Sequence, residues 1–292
     1  MTLTLNLIGP GRAGRTLAKL LLSAGLCTVQ DVLGRNAGSA QDAVVFIGGG
    51  RAQDEMQAMR PAALWLLTPP DGAIAAVAEA LAQSGLLRAG DTVFHCSGAL
   101  PAAVLAPLSV QGVHIASVHP LKSFADPAAA AAGFAGTWCT LEGDAAAIAV
   151  VRPLIESLGA RTAVIDAVGK TAYHAAAVLV CNDLVALLEA GWRSAESAGL
   201  DRATAQAMFE PLVRETLDNV FRLGTVRALT GPVARGDAAV VARQIDELQR
   251  SDPRVAEAYR ALSCIALELA RAQGTTAQAL LDNVAAVLAK PR

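Results

Sequence analysis

The chain has 292 residues, of which 53% are hydrophobic and 17% are charged, and its formal net charge is −2. This length predicts two domains, and the balanced charge gives no electrostatic reason to expect a nucleic-acid or an anionic-membrane partner. The five cysteines contain no CxxC pair and are typical of reduced thiols, so we expect a cytoplasmic protein.

Strand-like and helix-like segments alternate over residues 1–165. An apolar run at residues 3–8 leads directly into a glycine turn, which indicates a first strand and not a signal peptide. Apolar residues at helical spacing then predict a helix over residues 12–24. Further strands are predicted at residues 29–33, 43–47, 63–67, 92–95, 113–118, 137–141 and 161–165. Strands separated by helices predict an α/β fold with a doubly wound, mostly parallel Rossmann sheet.

No strand-like run follows residue 165, and the rest of the chain has helical spacing. Helices are predicted at residues 170–198, 201–222, 237–250, 253–272 and 275–288. We therefore expect a Rossmann domain over residues 1–167 and an all-α domain over residues 168–292. The apolar stretch 175–192 contains Asn182, Asp183 and Glu189, which would be costly in a bilayer, so it is interpreted as a soluble core helix.

The segment after the first strand contains a GxGxxG motif. Its residues are Gly9, Pro10, Gly11, Arg12, Ala13 and Gly14. In this setting the first glycine permits a tight turn, the second lets the backbone approach a pyrophosphate, and the third allows close helix packing. The free N–H groups at the start of the helix would bind the pyrophosphate. The motif predicts a dinucleotide site; the alternative is a glycine-rich turn without a ligand.

The end of the second predicted strand favours NADP as the cofactor. An NAD site usually has an acidic residue here for the ribose, but Arg35 and Asn36 occupy the position. A guanidinium can bind the 2′-phosphate with two hydrogen bonds, whereas a carboxylate would repel it. Asp31 lies too far back along the strand to be the usual ribose ligand. The alternative for Arg35 is a solvated loop arginine.

The predicted strand at residues 63–67 ends in Thr68, Pro69, Pro70 and Asp71. The carboxyl ends of the strands line the cofactor crevice in such a sheet, so we expect Thr68 and Pro69 beside the ribose. Asp71 is interpreted more simply as the N-cap of the next helix.

Two later strands end in polar segments at the same predicted edge of the sheet. Ser97 follows one strand and could hydrogen-bond a substrate oxygen, while His119 ends the next and could exchange a proton during hydride transfer. The alternatives are a simple turn at Ser97 and, for His95, a hydrogen-bonded core histidine. Metal ligation by His95, Cys96, His114 and His119 is disfavoured because adjacent residues on a strand point to opposite faces, so we expect no metal.

Polar side chains recur on the first predicted helix of the second domain. Lys170, His174 and Asn182 fall within an arc of about 120°, so they can line one cleft. A helix–helix hydrogen bond is the alternative. Between two later helices, Arg235 is predicted to bind a substrate carboxylate or phosphate, unless it only pairs with Asp237 in an inter-helix loop.

Several segments together resemble a bacterial family of NADP-dependent oxidoreductases with a Rossmann-like domain and a helical C-terminal domain of unassigned function. They are GPGRAG, GRN, TPPD, FHCSGAL, SVHPLKSF, YHAAAVLVCN and TGPVARGD. The layout is similar to that of the 6-phosphogluconate dehydrogenase, ketopantoate reductase, pyrroline-carboxylate reductase and prephenate dehydrogenase group. Helical second domains in this superfamily commonly dimerise, so the resemblance implies a homodimer.

The chain departs from the β-hydroxyacid dehydrogenases of that superfamily, whose catalytic lysine is followed four residues later by asparagine. Here His174 takes the position of the asparagine after Lys170. Ser97 and His119 are instead similar to the serine and histidine of prephenate dehydrogenases. The resemblance implies an NADP(H)-dependent oxidoreductase acting on a small, anionic hydroxy/oxo acid or on an imine. A non-catalytic NADP(H) sensor or regulatory protein is the alternative, because a fold alone confers no chemistry.

Overall fold

The computed structural model describes residues 2–110 and 112–289. The chain forms two compact units, Met1–Val180 and Cys181–Arg292. The division lies within a long helix, whereas the predicted boundary after residue 167 falls in the short 3₁₀ turn Ala167–Gly169 that precedes this helix. The helix therefore contributes its first turns to one unit and its remainder to the other.

The first unit is built on an eight-stranded sheet. Its strands are β1 (Leu3–Ile8), β2 (Cys27–Leu33), β3 (Arg51–Gln53), β4 (Leu64–Leu67), β5 (Thr92–His95), β6 (His114–Pro120), β7 (Trp138–Gly143) and β8 (Arg161–Val164). They lie in the order β3-β2-β1-β4-β5-β6-β7-β8, and every neighbouring pair is parallel except β6 and β7. The predicted doubly wound, mostly parallel sheet is confirmed. The strand order reverses between β1 and β4, where such sheets bind ligands.

Both faces of this sheet are covered, as its central strand β4 illustrates. Leu64 and Leu66 belong to one hydrophobic core cluster, while Trp65 and Leu67 belong to another. Successive side chains of a strand point to opposite faces, and all four of these residues are buried. This is why β4 reads as a continuous apolar run and not as an alternating pattern.

The helices of the first unit lie between the strands along the chain. They are α1 (Arg12–Ser23), α2 (Ala37–Ile47), α3 (Asp71–Gln83), α4 (Ala106–Ser109), α5 (Pro127–Ala132), α6 (Ala145–Ser157) and the beginning of α7 (Lys170–Ser197). The predicted strand at residues 43–47 is wrong, because these residues form the last turns of α2. A short apolar run fits a buried helix as well as a strand. The third strand is instead β3, which has only three residues and lies at the sheet edge.

Among its described residues, the second unit contains helices joined by turns and no strand. After the remainder of α7 come α8 (Arg202–Leu223), α9 (Thr225–Ala228), α10 (Ala238–Ser251), α11 (Pro253–Gln273) and α12 (Gln278–Leu288). Its core contains Val241, Ile245, Leu267, Leu281 and Val284. The predicted all-helical C-terminal region is confirmed.

The expectation that the apolar stretch 175–192 is a buried core helix is wrong for the single chain. Among the described residues, one helical segment, Ala167–Ser197, is long and apolar enough to cross a membrane by length and composition alone. None of its most apolar 18-residue window is buried in the chain. An apolar surface of this extent is typical of an interaction site.

Candidate functional site

The glycine loop between β1 and α1 packs closely against the segment that follows β4. Gly9 has a positive φ of 73°, and a Cβ there would lie 2.5 Å from the nitrogen of Pro69. A Cβ at Gly14 would lie 1.9 Å from Oγ1 of Thr68. The same hydroxyl of Thr68 donates to the carbonyl oxygen of Gly9 at 2.7 Å. Glycine is therefore required at both positions, because a side chain would push the loop away from the sheet.

Gly11 differs from these two glycines because the protein leaves space around it. The nearest atom to a Cβ at Gly11 would be the carbonyl oxygen of Thr68 at 3.4 Å. Gly11 is also the N-cap of α1, and it offers no side chain to the free N–H groups of the first turn. Those N–H groups and the positive end of the helix dipole can bind an anion. The loop therefore fits a dinucleotide pyrophosphate.

A cavity of about 540 Å³ opens at this loop. It lies where the strand order reverses, between the ends of β1, β2 and β4. Six residues predicted to bind the cofactor line it, namely Gly9, Pro10, Gly11, Arg35, Thr68 and Pro69. The other four do not line it: Arg12, Ala13, Gly14 and Asn36. Gly14 packs α1 against Thr68, and Asn36 caps α2 by accepting the N–H of Ser39.

Two guanidinium groups border this cavity. Arg35 is exposed just beyond β2, and Arg15 on α1 donates from Nε and Nη2 to the carbonyl oxygen of Pro10 at 3.1 and 3.0 Å. Ser39 in the first turn of α2 lines the same cavity. Guanidinium and hydroxyl groups together suit a phosphate.

The carboxylate of Asp31 is not free to bind a ribose. It is fully buried and pairs with Arg60 at 2.9 Å and with Arg51 at 3.1 Å. Burial by itself raises the pKa of Asp31, but hydrogen bonds from Arg60 and Arg51 outweigh it and hold the pKa below its ordinary value. Asp31 therefore stays charged and ties β2 to β3 and to the segment before β4.

The turn after β5 is organised by the side chain of Ser97. Its Oγ donates to Oδ2 of Asp71 at 2.7 Å and accepts the N–H groups of Ala99 and Leu100 at 3.2 and 3.0 Å. The donor and both acceptor positions of the hydroxyl are therefore used within the protein. In this arrangement Ser97 orders the turn, and its hydrogen is not free for the predicted bond to a substrate oxygen.

His95 is a satisfied core histidine, as one of the sequence alternatives proposes. Its Nδ1 accepts the N–H of Ser97 at 3.1 Å, so Nε2 carries the ring proton and donates to the carbonyl of Pro101 at 3.2 Å. Burial lowers the pKa of His95 to about 4. In the part of the chain that the structure describes, no group of three or more metal-ligating side chains could hold a metal ion.

His119, at the end of β6, meets the first turns of α7. Its Nδ1 is hydrogen-bonded to the hydroxyl of Tyr173 at 3.0 Å, and its ring centroid lies 5.7 Å from that of His174. Gly98 leaves room for both rings, since a Cβ there would lie 2.5 Å from Nδ1 of His174 and 2.7 Å from Nε2 of His119. Burial, then the charges of His174 and Lys170, lower the pKa of His119 to about 4. His119 and His174, two of the predicted site residues, are thus brought together, with Tyr173 beside them.

Lys170 does not line an open cleft, which corrects the expectation from the helical arc. Only 1% of its side chain is exposed, and its Nζ donates to Oγ of Ser117 at 2.5 Å. Oε2 of Glu142 lies 3.8 Å from the same Nζ. Burial lowers the pKa of Lys170. Helical spacing correctly places Lys170 and His174 on the same side of α7. The end of that side at Lys170, however, packs onto β6 and β7.

The two remaining candidates, Asn182 and Arg235, belong to the second unit and are exposed there. Among the described residues, the guanidinium of Arg235 forms no ion pair, and Asp237 instead caps α10 by accepting the N–H of Val240 at 3.1 Å. The alternative of an Arg235–Asp237 pair is therefore not realised. Binding of a substrate anion by Arg235 stays a prediction.

Sequence reasoning missed four residues at these clusters: Arg15, Ser39, Asp71 and Tyr173. The sequence indicates only a helix N-cap for Asp71, but Pro70 is the N-cap and Asp71, the first residue of α3, accepts the Ser97 hydroxyl. Tyr173 offered a usable signal, because it lies three residues after Lys170 and next to His174 on the same helix. Arg15 and Ser39 offered none, since their positions depend on how α1 and α2 fold over the loop.

Comparison with family models matches two parts of the chain, and the second match begins within the first unit, just before β7. Residues 1–120 match a Rossmann-like domain, and residues 137–265 match a domain of unknown function (DUF2520). The two matches follow one another along the chain and together span most of it. The pairing is consistent with the family that the sequence motifs resemble. No curated protein matches the sequence.

Solved structures share the fold over nearly the whole chain. Protein TM1727 from Thermotoga maritima is 27% identical, with a TM-score of 0.73, and the match covers 92% of this chain and 99% of that one. Protein BF3122 from Bacteroides fragilis is 22% identical, with a TM-score of 0.73 and coverage of 91% and 98%. An imine reductase from Myxococcus stipitatus in complex with NADP⁺ is 16% identical, with a TM-score of 0.66 and coverage of 97% and 99%.

Proposed function

We propose that this protein is an NADP(H)-dependent oxidoreductase that transfers a hydride between the nicotinamide and a small hydroxy/oxo acid or an imine. The observation that carries the proposal is that the cavity and the His119–Tyr173 pair lie at the same edge of the sheet. The cavity lies at the carboxyl ends of β1, β2 and β4, and His119 with Tyr173 lies at the carboxyl ends of β5 and β6. The likeness to an imine reductase in complex with NADP⁺ supports this class of reaction.

The cofactor that we propose is NADP(H). Its pyrophosphate would bind the N-terminus of α1 at Gly11, and its 2′-phosphate would bind Arg35 with Ser39. Asp31 is held by two arginines inside the protein, so its carboxylate does not repel that phosphate. When bound, the nicotinamide ring supplies or accepts the hydride.

We further propose that His119 and Tyr173 handle the proton that accompanies the hydride. Burial raises the pKa of Tyr173, so the phenol keeps its proton at neutral pH. The pKa of His119, lowered to about 4 mainly by burial, leaves its imidazole uncharged at the same pH. A phenolic donor hydrogen-bonded to a neutral base can deliver or accept a proton at a carbonyl oxygen or an imine nitrogen. His174 adds a ring whose Nδ1 has no partner among the described residues.

Turnover and cofactor binding, measured separately, test the proposal. NADPH oxidation would be followed with a panel of imines and 2-oxo acids, and NADPH affinity would be measured by calorimetry without substrate. We expect tight NADPH binding and turnover with at least one substrate class, and His119→Gln should lower this turnover by about 10²–10⁴. Tight binding without turnover across the panel would instead favour a non-catalytic NADP(H) sensor.

We also propose that the protein is a cytoplasmic homodimer that associates through its second unit. Large apolar side chains of this unit are exposed in the single chain, including Phe221 at 88%, Val185 at 66%, Leu212 at 58% and Ile265 at 56%. Exposed apolar surface of this kind is usually covered by a partner. Light scattering should give twice the chain mass, and Leu212→Glu should shift the equilibrium toward the monomer. A monomeric unmodified protein at all concentrations would contradict the proposal.

A further inference from the structure

Lys170 is a buried cation in a place that is electrostatically unfavourable. It is the first residue of α7, where the helix dipole disfavours positive charge, and only 1% of its side chain is exposed. Transferring a charge into the interior is costly unless its partners compensate fully. Its acidic neighbour Glu142 lies 3.8 Å from Nζ and also accepts the N–H of Ala102 at 2.6 Å. Stability alone gives no reason to keep a lysine in this position.

A chain of hydrogen bonds connects Lys170 to the turn beneath the two histidines. Nζ donates to Oγ of Ser117, and this hydroxyl donates in turn to the carbonyl oxygen of Ser97 at 3.2 Å. Because the ammonium has only donors, it directs the hydrogen of Ser117 toward Ser97. The residue after Ser97 is Gly98, which lies against the rings of His119 and His174. The ammonium therefore fixes the backbone on which both rings rest.

The same lysine fixes these rings from the side of the helix. Tyr173 and His174 lie three and four residues after Lys170, one helical turn further along α7. Anchoring Lys170 between β6 and β7 therefore holds that turn over His119. The Ser97–Gly98 turn and the first turns of α7 therefore both depend on the buried amine of Lys170.

The ammonium is also part of the charge environment of His119. The titratable groups that act on this ring are Tyr173, His174 and Lys170 on α7 and Asp71 on α3. Glu142 and Cys139 belong to the neighbouring strand β7, where they pair with Ser117 and Pro120. Lys170 and His174 disfavour a proton on His119, whereas Asp71 favours one. The carboxylate of Glu142 is the partner of Lys170 and so moderates its effect.

We propose that Lys170 is a positioning residue of the site, whose buried charge, held between Ser117 and Glu142, fixes the Ser97–Gly98 turn and sets the electrostatic environment of His119. The inference rests on the proposed function only in treating His119 as the group that handles the proton. Its consequences for His119 exist in the free protein, so they can be measured without cofactor, substrate or turnover.

The test is an NMR titration of the histidine side chains in the whole protein, with His119 assigned from the spectrum of His119→Gln. Lys170→Met removes the positive charge and should raise the pKa of His119 by about half a pH unit or more. Glu142→Gln removes the negative charge and should lower the pKa of His119 or leave it unchanged. Lys122→Met is the matched control, because Lys122 lies three residues beyond His119 and, within residues 2–110 and 112–289, donates only to the carbonyl of Gly133 near the surface. It should leave the pKa of His119 unchanged.

The opposite signs distinguish an electrostatic role from a packing role. If Lys170 only fills space, both Lys170→Met and Glu142→Gln loosen the turn, admit water and raise the pKa of His119. That result, or an unchanged pKa in Lys170→Met, would overturn the inference. If Lys170→Met does not fold, the test depends on Glu142→Gln alone, and a raised pKa of His119 in that variant would contradict the inference. Failure to find turnover would affect the proposed function but not these outcomes.

Discussion

The hydroxyl of Ser97 donates to Oδ2 of Asp71 at 2.7 Å, and this bond joins the cofactor cavity to the histidine cluster. Asp71 is the first residue of α3, directly after the segment 68–70 that lines the cavity. Ser97 begins the turn in which Gly98 lies against His119. The two halves of the proposed site are therefore linked by one pair of side chains.

Removing this hydroxyl should destabilise the protein. Ser97→Ala leaves Asp71 and two backbone N–H groups without their partner, so we expect the free energy of unfolding to fall by about 1–3 kcal/mol. Urea denaturation measures the change. Ser84→Ala is the matched control, because among the described residues the Ser84 hydroxyl bonds only to backbone groups of its own turn, those of Leu81 and Leu86. Equal losses in the two variants would show that the bond to Asp71 contributes nothing of its own.

Arg35 should determine the choice between the two nicotinamide cofactors. We expect NADPH to bind at least about tenfold more tightly than NADH, which corresponds to about 1.4 kcal/mol. Arg35→Asp should reverse the order, because a carboxylate repels the 2′-phosphate. Arg88→Asp makes the same charge change at an exposed residue outside the cavity and should leave the ratio intact. Equal affinities of the unmodified protein for both cofactors, measured by fluorescence titration, would rule out this role for Arg35.

The side chains around His119 should affect turnover and not cofactor affinity. His119→Gln should lower kcat by about 10²–10⁴ with little change in the Kd for NADPH. His174→Gln should have the same effect if Nδ1 of His174, which has no partner among the described residues, contacts the reacting group. Tyr173→Phe should act in the same direction because it removes the hydroxyl bonded to His119. Tyr259→Phe is the control, since the Tyr259 hydroxyl bonds to Gln244 within the second unit. Unchanged kcat in all three variants would remove this cluster from the mechanism.

The buried histidines should make the protein less stable in mild acid. The pKa of His119 and of His95 is about 4 in the folded protein, below the ordinary value of 6.5. Between these values the unfolded chain binds more protons than the folded chain, so stability falls as the pH decreases from 6.5 toward 4. His119→Gln should make this fall shallower, because it removes one imidazole that the unfolded chain protonates before the folded chain does. Denaturation midpoints at several pH values measure the slope, and identical slopes in the unmodified protein and in His119→Gln would contradict the assignment.

The positions of the glycine motif and of Arg35 beside the cavity could be predicted from the sequence because they depend on local geometry. GxGxxG fixes a turn within a few residues, and Arg35 follows the end of β2 at the expected distance. Lys170 could not be predicted in the same way. Helical spacing relates Lys170 to His174 but says nothing about which end of that face packs against the sheet. That information lies in β6 and β7, which are separated from Lys170 along the chain.

The error at residues 43–47 has a related cause. Five apolar residues satisfy a buried strand and the buried face of a helix equally well, and the deciding signals lie outside the run. Asn36 caps the helix at one end and Gly48, with a φ of 88°, ends it at the other. Both signals were present in the sequence, so the helix could have been found by considering the caps together with the run.

Gly98 should tolerate no side chain if the two histidine rings must keep their positions. Its conformation is open to any residue, because it is not among the glycines with positive φ, so the constraint is purely steric. A Cβ would lie 2.5 Å from Nδ1 of His174 and 2.7 Å from Nε2 of His119, well inside contact distance. Gly98→Ala must therefore displace one ring or the turn itself.

We expect Gly98→Ala to lower kcat at least tenfold, because a displacement of about 1 Å in a reacting group can cost as much as 10²-fold in rate. The Kd for NADPH should change little, since Gly98 does not line the cavity. Gly72→Ala is the matched control, because Gly72 lies in α3 and its Cβ would meet no atom of the described part of the chain within 4 Å. That variant should keep kcat and gain about 0.5–1 kcal/mol of stability from the helical alanine. If Gly98→Ala also keeps full kcat, the positions of the rings of His119 and His174 are not important for the reaction.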